Sequence, residues 1–400
     1  MRSIQEERLA WTLDHAYVNS ALYRRKLDES GVVPRNFGGV EDLGSLPFTT
    51  KDELREAFPY GALATPLEEV SYFGITSGTT GKPIAVYLSG EDSKNMAAAV
   101  ARAYHSVGMD SSDIGQLMVA PPMAWMWENS FRLLGMGVIN SGIGNAQAQV
   151  ASIRDLRATV LVSTPSYLLR LAEVGADMDF DPAKSDVRVL VPVAEPFGEE
   201  TRSRLESAWS AEAYDGYGCM ELANGFVECP AKNGHHVFAD HFLVEVVNPQ
   251  TGEQVEPGES GEFVFTTLTR KSTPLVRYRT RDIVHVEEDT CICGRTHPRI
   301  FLHGRLDDMV KVKGSTVFPR DLERALMAMG GISNYQAILK REGSQDAMVI
   351  KVESSDTSSS ARDSIIDSVK GATNITPGIE FVAEGSLSTG GKTKRFIDSR

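Results

Sequence analysis

The sequence predicts an α/β protein in which a large N-terminal α/β domain with mixed sheets precedes a small C-terminal α+β domain. Residues 158–163 (ATVLVS) and 187–193 (VRVLVPV) are short apolar runs of buried-strand length, each flanked by helical patterning, and this alternation is the signature of α/β layering. Between residues 237 and 286 the pattern changes to short strands punctuated by Pro249-Gln250-Thr251-Gly252 and Pro257-Gly258, which predicts an antiparallel sheet. The polar segment Gly304-Arg305-Leu306-Asp307-Asp308 then separates these strands from a last stretch of about a hundred residues with its own strand and helix signals. The predicted domains are therefore 1–303 and 304–400.

Length and charge bound the function. A chain of 400 residues exceeds one ordinary core, at roughly 150 residues per domain, and its 42% hydrophobic and 24% charged residues are globular usage. The net charge of −13 repels polyanions, which argues against a nucleic-acid or anionic-membrane partner. No run of 18 apolar residues occurs, and the first 27 residues predict one amphipathic helix without an apolar signal core, so the expected location is the cytoplasm. Four cysteines do not make a disulfide framework; in a reducing compartment their spacing points to metal binding or catalysis.

At Leu46-Pro47-Phe48-Thr49-Thr50-Lys51-Asp52 a turn is expected, with Thr50 capping the helix that follows. Downstream, Thr76, Ser77, Gly78, Thr79, Thr80, Gly81, Lys82 and Pro83 pack three hydroxyls on threonine, one on serine, two glycines and a lysine into eight residues. Glycines let the backbone approach an anion, N–H groups and hydroxyls donate to its oxygens, and the lysine adds charge, so the loop suits polyphosphate. It is not a Walker A loop, because only two residues separate Gly78 from Gly81 and Pro83 follows Lys82.

With Thr164-Pro165-Ser166-Tyr167, Ala194-Glu195-Pro196, Tyr217-Gly218-Cys219-Met220-Glu221, Arg277-Tyr278-Arg279-Thr280-Arg281-Asp282, Gly304-Arg305-Leu306-Asp307-Asp308-Met309 and Gly391-Lys392, these motifs resemble the adenylate-forming acyl-CoA synthetase superfamily. Within it, the resemblance is to the phenylacetate-CoA ligase branch. It implies ATP, Mg2+ and coenzyme A as cofactor and co-substrates, a small and aromatic carboxylic acid as substrate, and leaves room for a homodimer. Carried onto this sequence, Tyr217 stacks on adenine, Ala194, Glu195 and Pro196 line the base and acyl-phosphate region, and Asp282 holds the ribose hydroxyls. Gly218 and Arg305 complete the nucleotide contacts. A carboxylate suits a vicinal diol because it accepts two hydrogen bonds at once. Glu221 would hold magnesium, a hard cation that takes carboxylate and phosphate oxygens.

The resemblance makes Lys392 the catalytic lysine, a cation that offsets the repulsion of carboxylate and triphosphate as the adenylate forms. Lys394 and Arg395 are near rivals in the same basic C-terminus, and the position of Lys392 beside Gly391 decides for it. The resemblance also implies that the C-terminal domain rotates about Asp307, exchanging Lys392 for the 311–314 loop, where Gly314 flanks the pantetheine thiol. Trp127, from a segment rich in large flat side chains, and Tyr167 are candidates for the acyl pocket, although an aromatic stripe is more often core.

Six residues separate Cys229 from His236, and Cys291-Ile292-Cys293-Gly294 follows a strand pair later. Three thiolates and one imidazole are a closed tetrahedral zinc set, with His235 as rival ligand and buried reduced thiols as the alternative. The phenylacetate-CoA ligase branch has a similar pattern, while Cys219 sits apart as a bystander. Three features depart from the family: Arg281 and Val193 stand where glycine is usual, and the segment 125–142 is short. Two other functions compete with transfer to coenzyme A. One keeps adenylation but passes the acyl group to a carrier-protein thiol, an amine or nitrite. The other is a non-catalytic adenylate-binding relative, against which Lys82, Glu221, Asp282 and Lys392 argue.

Overall fold

The computed structural model describes residues 1–75, 82–312, 315–342, 345–387 and 395–400. They form two compact units, one of residues 1–140 and 214–302, the other of residues 141–213 and 303–400.

The first unit opens with two helices rather than the one continuous helix expected, Arg2–Asn19 and Ala21–Glu29, because Ser20 takes an extended conformation between them. The predicted cap at Thr50 is present as a full capping box: Thr50 accepts from the Glu53 N–H, and Glu53 accepts from the Thr50 N–H. An antiparallel hairpin of Val70–Ile75 and Ala85–Ser89 leads into the helix Gly90–Ser106, which is capped the same way by Ser89 and Asp92. Two parallel strands, Ile114–Leu117 and Gly137–Asn140, flank the helix Pro121–Leu133.

The predicted antiparallel sheet has five strands, in the spatial order His235–His236, Arg299–Arg305, Tyr278–Glu287, Gly261–Thr267 and Phe242–Val247. Phe226, Phe238, Phe242, Phe263, Phe265 and Tyr278 pack on one another beneath it, three pairs edge to face at 5.5–5.8 Å and Phe265–Tyr278 tilted at 5.4 Å. A buried ion pair ties the Leu46-Pro47-Phe48 turn to this sheet. Arg277 donates to both oxygens of Glu245 at 2.8 and 3.1 Å, and to the carbonyls of Gly44 and Leu46 at 2.8 and 2.7 Å. Its guanidinium lies 4.0 Å from the centre of the Phe48 ring. Every polar group of the pair has a partner, the condition under which a buried charge pair is tolerated.

In the second unit, the strands Val160–Ser163, Val189–Pro192 and Glu212–Ala213 run parallel, and all eight residues of the first two are buried. Apolar β-branched runs with helices between them fold this way because both faces are covered. The C-terminal part is a four-stranded sheet in the order Gly378–Val382, Gln345–Ser354, Ile332–Glu342, Phe396–Asp398, with the helices Pro319–Met327 and Ser359–Thr373 sharing its core. The second of these helices is capped by Ser358, which accepts from the Ala361 N–H.

Candidate functional site

The first unit builds its part of the site on a hairpin. Gly216–Cys219 pairs antiparallel with Asn224–Val227, setting Tyr217 opposite Phe226 and Gly218 opposite Gly225. Gly225 is obligatory here, since a Cβ would lie 1.6 Å from the Tyr217 carbonyl oxygen. Phe226, His235 and Phe263 surround the half-buried Tyr217 ring with centroids 6.1–6.4 Å away. Its hydroxyl donates to Asp282 Oδ2 at 2.6 Å. The structure thus joins the aromatic ring assigned to adenine with the carboxylate assigned to ribose.

Asp282 is buried, and its N–H donates to Thr280 Oγ1 at 3.1 Å. The residue before it, Arg281, has φ +65°, a left-handed conformation that disfavours side chains. That conformation is the physical reason glycine suits this position. The other departure resolves differently: Val193 is a buried extension of its strand, and the left-handed residue is Ala194 at φ +67°.

Glu221 is buried at the end of the same motif. Tyr278 donates to its Oε1 at 2.8 Å, and the fully buried Arg270 donates to the carbonyls of Glu221 and Leu222. Burial pushes the Arg270 guanidinium down to about 10, against the pull of Asp92, Cys219 and Glu221. Sequence reasoning missed both supports; the only available signal was the position of Tyr278 within the motif that ends at Asp282. Gly74 packs against the motif too, since a Cβ there would lie 2.7 Å from Met220 Sδ, so the strand leading into the phosphate loop runs close beside it. The loop itself, Thr76 to Gly81, lies outside the described residues, as do Gly314 and Lys392; Lys82 is exposed.

The second unit holds Glu195 at the start of the helix Pro165–Asp177. Ser166 donates to Glu195 Oε2 from its hydroxyl at 2.7 Å and from its N–H at 3.3 Å. A carboxylate is favoured there by the positive end of the helix dipole. Among the described residues its other, buried oxygen has no hydrogen-bond partner, and Ala194 and Pro196 are exposed beside it. In the same helix, Tyr167 bonds to Gln149 and is half-buried. Arg305 and the exposed Asp307 interact at 3.4 Å.

Trp127, from the aromatic segment, is buried with Tyr104 and donates its indole N–H to the Tyr104 hydroxyl. Trp125 is the half-buried member of that segment, stacked on Tyr72 at 4.2 Å and 12°.

A second cluster lies at one edge of the five-stranded sheet, beside the strand His235–His236 and the start of its neighbour Arg299–Arg305. His236 opposes Arg299 in the ladder, and Cys229, His236, Cys291 and Cys293 each offer a ligand atom within 4.8 Å of the others. The sulfurs of Cys229 and Cys291 are 3.8 Å apart, and Cys293 Sγ is 3.4 Å from His236 Nε2. A tetrahedral zinc ion with ordinary bond lengths would put two sulfurs about 3.8 Å apart and a sulfur and nitrogen about 3.5 Å apart, so the donor set and spacing fit. His236 Nδ1 lies 3.3 Å from the His297 carbonyl, the outer contact that fixes the tautomer of a ligating histidine. Burial pushes the Cys229 thiol up to about 11, which a bound cation would reverse. His235, the rival ligand, points to Asp215 instead, at 3.2 Å. Cys219 lies outside the cluster.

A tyrosine tied to a buried aspartate, a buried glutamate on the same hairpin and a separate C-terminal α+β sheet are the features expected of adenylate-forming enzymes. The chain belongs to the AMP-binding enzyme family, whose model matches residues 4–268, and the AMP-binding enzyme C-terminal domain matches residues 314–400. It is 34% identical over 432 aligned residues to the phenylacetate-coenzyme A ligase of Thermus thermophilus, covering 100% of this chain and 97% of that protein. It is 36% identical over 368 residues to the phenylacetate-coenzyme A ligase of Escherichia coli, covering 90% and 83%. Among solved structures it resembles 2-hydroxyisobutyryl-CoA ligase in the postadenylation state with 2-HIB-AMP, with a TM-score of 0.93 at 26% identity, covering 100% of this chain and 90% of that one.

Proposed function

We propose that this protein is an AMP-forming acid–thiol ligase that activates a small aromatic carboxylic acid with ATP and transfers the acyl group to coenzyme A. The observation that carries the reading is 34% identity spread over the whole chain and 97% of a phenylacetate-coenzyme A ligase. In the first half-reaction a carboxylate oxygen of the acid attacks the α-phosphorus of ATP, and pyrophosphate leaves. In the second, the thiol of coenzyme A attacks the acyl carbon, loses its proton, and AMP leaves.

The residues divide that work. Tyr217 presents a flat ring to adenine, and Asp282 accepts from the ribose hydroxyls, its position set by the Tyr217 hydroxyl. Glu195 and Ala194 border the nucleotide, with Gly218 and Arg305. Glu221 would hold Mg2+, which neutralises phosphate charge when bound; Tyr278 orients that carboxylate. The loop from Thr76 to Lys82 takes the phosphates, and Lys392 supplies the cation beside the reacting oxygens. Residues 304–400 act as the mobile part, turning about Asp307 to bring Gly314 to the thiol path. Tyr72 and Trp125 supply a flat wall suited to an aryl acid. Cys229, His236, Cys291 and Cys293 hold a structural zinc ion that ties the strand His235–His236 to the Cys291 turn. Among the described residues no helix is long and apolar enough to cross a membrane, and the protein is proposed to work in the cytoplasm.

Pyrophosphate and AMP release, measured across a panel of aryl and alkyl acids with and without coenzyme A, tests the reading. Pyrophosphate should appear near one equivalent without the thiol and over many turnovers with it, because a water-excluded acyl-adenylate has no other nucleophile. Turnover driven by an amine, nitrite or a carrier protein, but never by coenzyme A, would leave the adenylation and remove the acceptor.

A further inference from the structure

Glu323, on the helix Pro319–Met327, is 2% exposed, an unusual setting for a carboxylate outside any assigned site. Its Oε1 accepts from Thr201 Oγ1 at 2.8 Å, and Thr201 is equally buried, in the first turn of the helix Glu199–Trp209. The same oxygen lies 3.7 Å from Arg395 Nη1. Arg395 in turn sits 5.1 Å over the centre of the buried Tyr335 ring, and its carbonyl accepts from Ala337 N–H at 2.8 Å. Arg204, one turn along the Thr201 helix, donates to the Ile332 carbonyl at 3.4 Å. Among the described residues, the buried Glu323 Oε2 has no hydrogen-bond partner.

The partners fall into two groups. Arg395, Tyr335 and Ile332 belong with Glu323 to the C-terminal part, whereas Thr201 and Arg204 belong to the segment that precedes it in sequence by more than a hundred residues. A rotation about Asp307 carries the first group together and leaves the second behind. Glu323 would keep Arg395 through that movement and lose Thr201.

We propose that Glu323 is a positioning residue for acyl-adenylate formation, clamping the C-terminal part onto the helix Glu199–Trp209 through Thr201 for the first half-reaction and releasing it for the second. The proposal rests on the two-step reading above. A buried carboxylate suits the task because its attachment is strong while the dry contact persists, and its charge is already matched by Arg395 when the contact opens.

The test separates the half-reactions: acid-dependent ATP–pyrophosphate exchange for the first, and thioester formation from supplied acyl-AMP and coenzyme A for the second. Thr201→Val keeps the side-chain shape and removes the donor. It should slow exchange about tenfold and leave thioester formation unchanged or faster. Glu323→Gln, which keeps the acceptor but removes the charge facing Arg395, should shift the same ratio in the same direction. A fold defect in either variant would lower both rates and the melting temperature together, and equal losses, or no loss of exchange, overturn the clamp. Absence of exchange in the unaltered protein with every acid would remove the two-step reading itself, and the clamp with it.

Discussion

The Tyr217 hydroxyl donates to Asp282 at 2.6 Å, so a ring and a carboxylate 65 residues apart are locked in one geometry. Two jobs are thereby separable. Tyr217→Phe keeps the flat surface and loses the lock, and should raise the KM for ATP about three- to tenfold, the range of one net hydrogen bond, with kcat little changed. Asp282→Asn removes an ionised acceptor and should raise it further, because hydrogen bonds to a charged group are worth roughly twice as much. Steady-state kinetics in ATP decide it; equal effects of the two substitutions would mean that Asp282 does not meet the ribose.

Arg281 gives a prediction about stability. Its φ of +65° costs a side-chain-bearing residue about 1 kcal/mol, whereas glycine adopts it freely. Arg281→Gly should be stabilising by a few tenths of a kcal/mol, roughly 0.5 at most, once the greater freedom of glycine in the unfolded chain is subtracted, and Arg281→Val destabilising by more than that. The N–H that donates to Glu262 Oε1 at 3.1 Å survives both changes. Denaturant midpoints measured side by side check the order, and a glycine variant less stable than the valine variant would refute it.

The metal prediction is compositional first. The purified protein should contain about one zinc ion per chain, and Cys291→Ala should lower that content. Because a closed site contributes its binding energy to folding, chelation should lower the melting temperature more than it weakens ATP binding. Elemental analysis and thermal melts with a strong chelator read both quantities. Protein purified without metal and of unchanged stability would show the four side chains to be reduced thiols and a histidine in a packed interior.

What the sequence revealed and what it hid have physical causes. The Thr50 cap was legible because a cap is local, a side chain accepting from an N–H three residues on. The strands at 160–163 and 189–192 were legible because burial on both faces demands continuous apolar runs. The break at Ser20 was hidden, since a serine within polar helical patterning fits a helix interior as well as a cap. The role of Arg281 was half visible: order and spacing marked it as a departure, but only the backbone shows that its conformation is the one glycine would favour. Tyr278 and Thr201 were invisible as partners of Glu221 and Glu323, because those bonds join residues 57 and 122 positions apart and no local pattern encodes them.

Lys392 carries the last prediction. Forming the adenylate brings a carboxylate against a triphosphate, and negative charge builds on the oxygens around phosphorus as the bond forms. A preorganised ammonium group aimed at those oxygens contributes mainly in the transition state, so its removal should lower kcat and kcat/KM together rather than raise the KM for ATP. Lys392→Ala should therefore slow acid-dependent ATP–pyrophosphate exchange by about 10²–10³, the cost typical of one such group. Thioester formation from supplied acyl-AMP involves no attack at phosphorus, and it should proceed at the rate of the unaltered protein. Lys394→Ala, one residue from Arg395 in the same basic stretch, is the control for loss of charge alone and should change neither rate by more than about twofold. If Lys392→Ala slowed both half-reactions equally, or if Lys394→Ala reproduced its effect, the lysine assigned to the adenylate would be the wrong one.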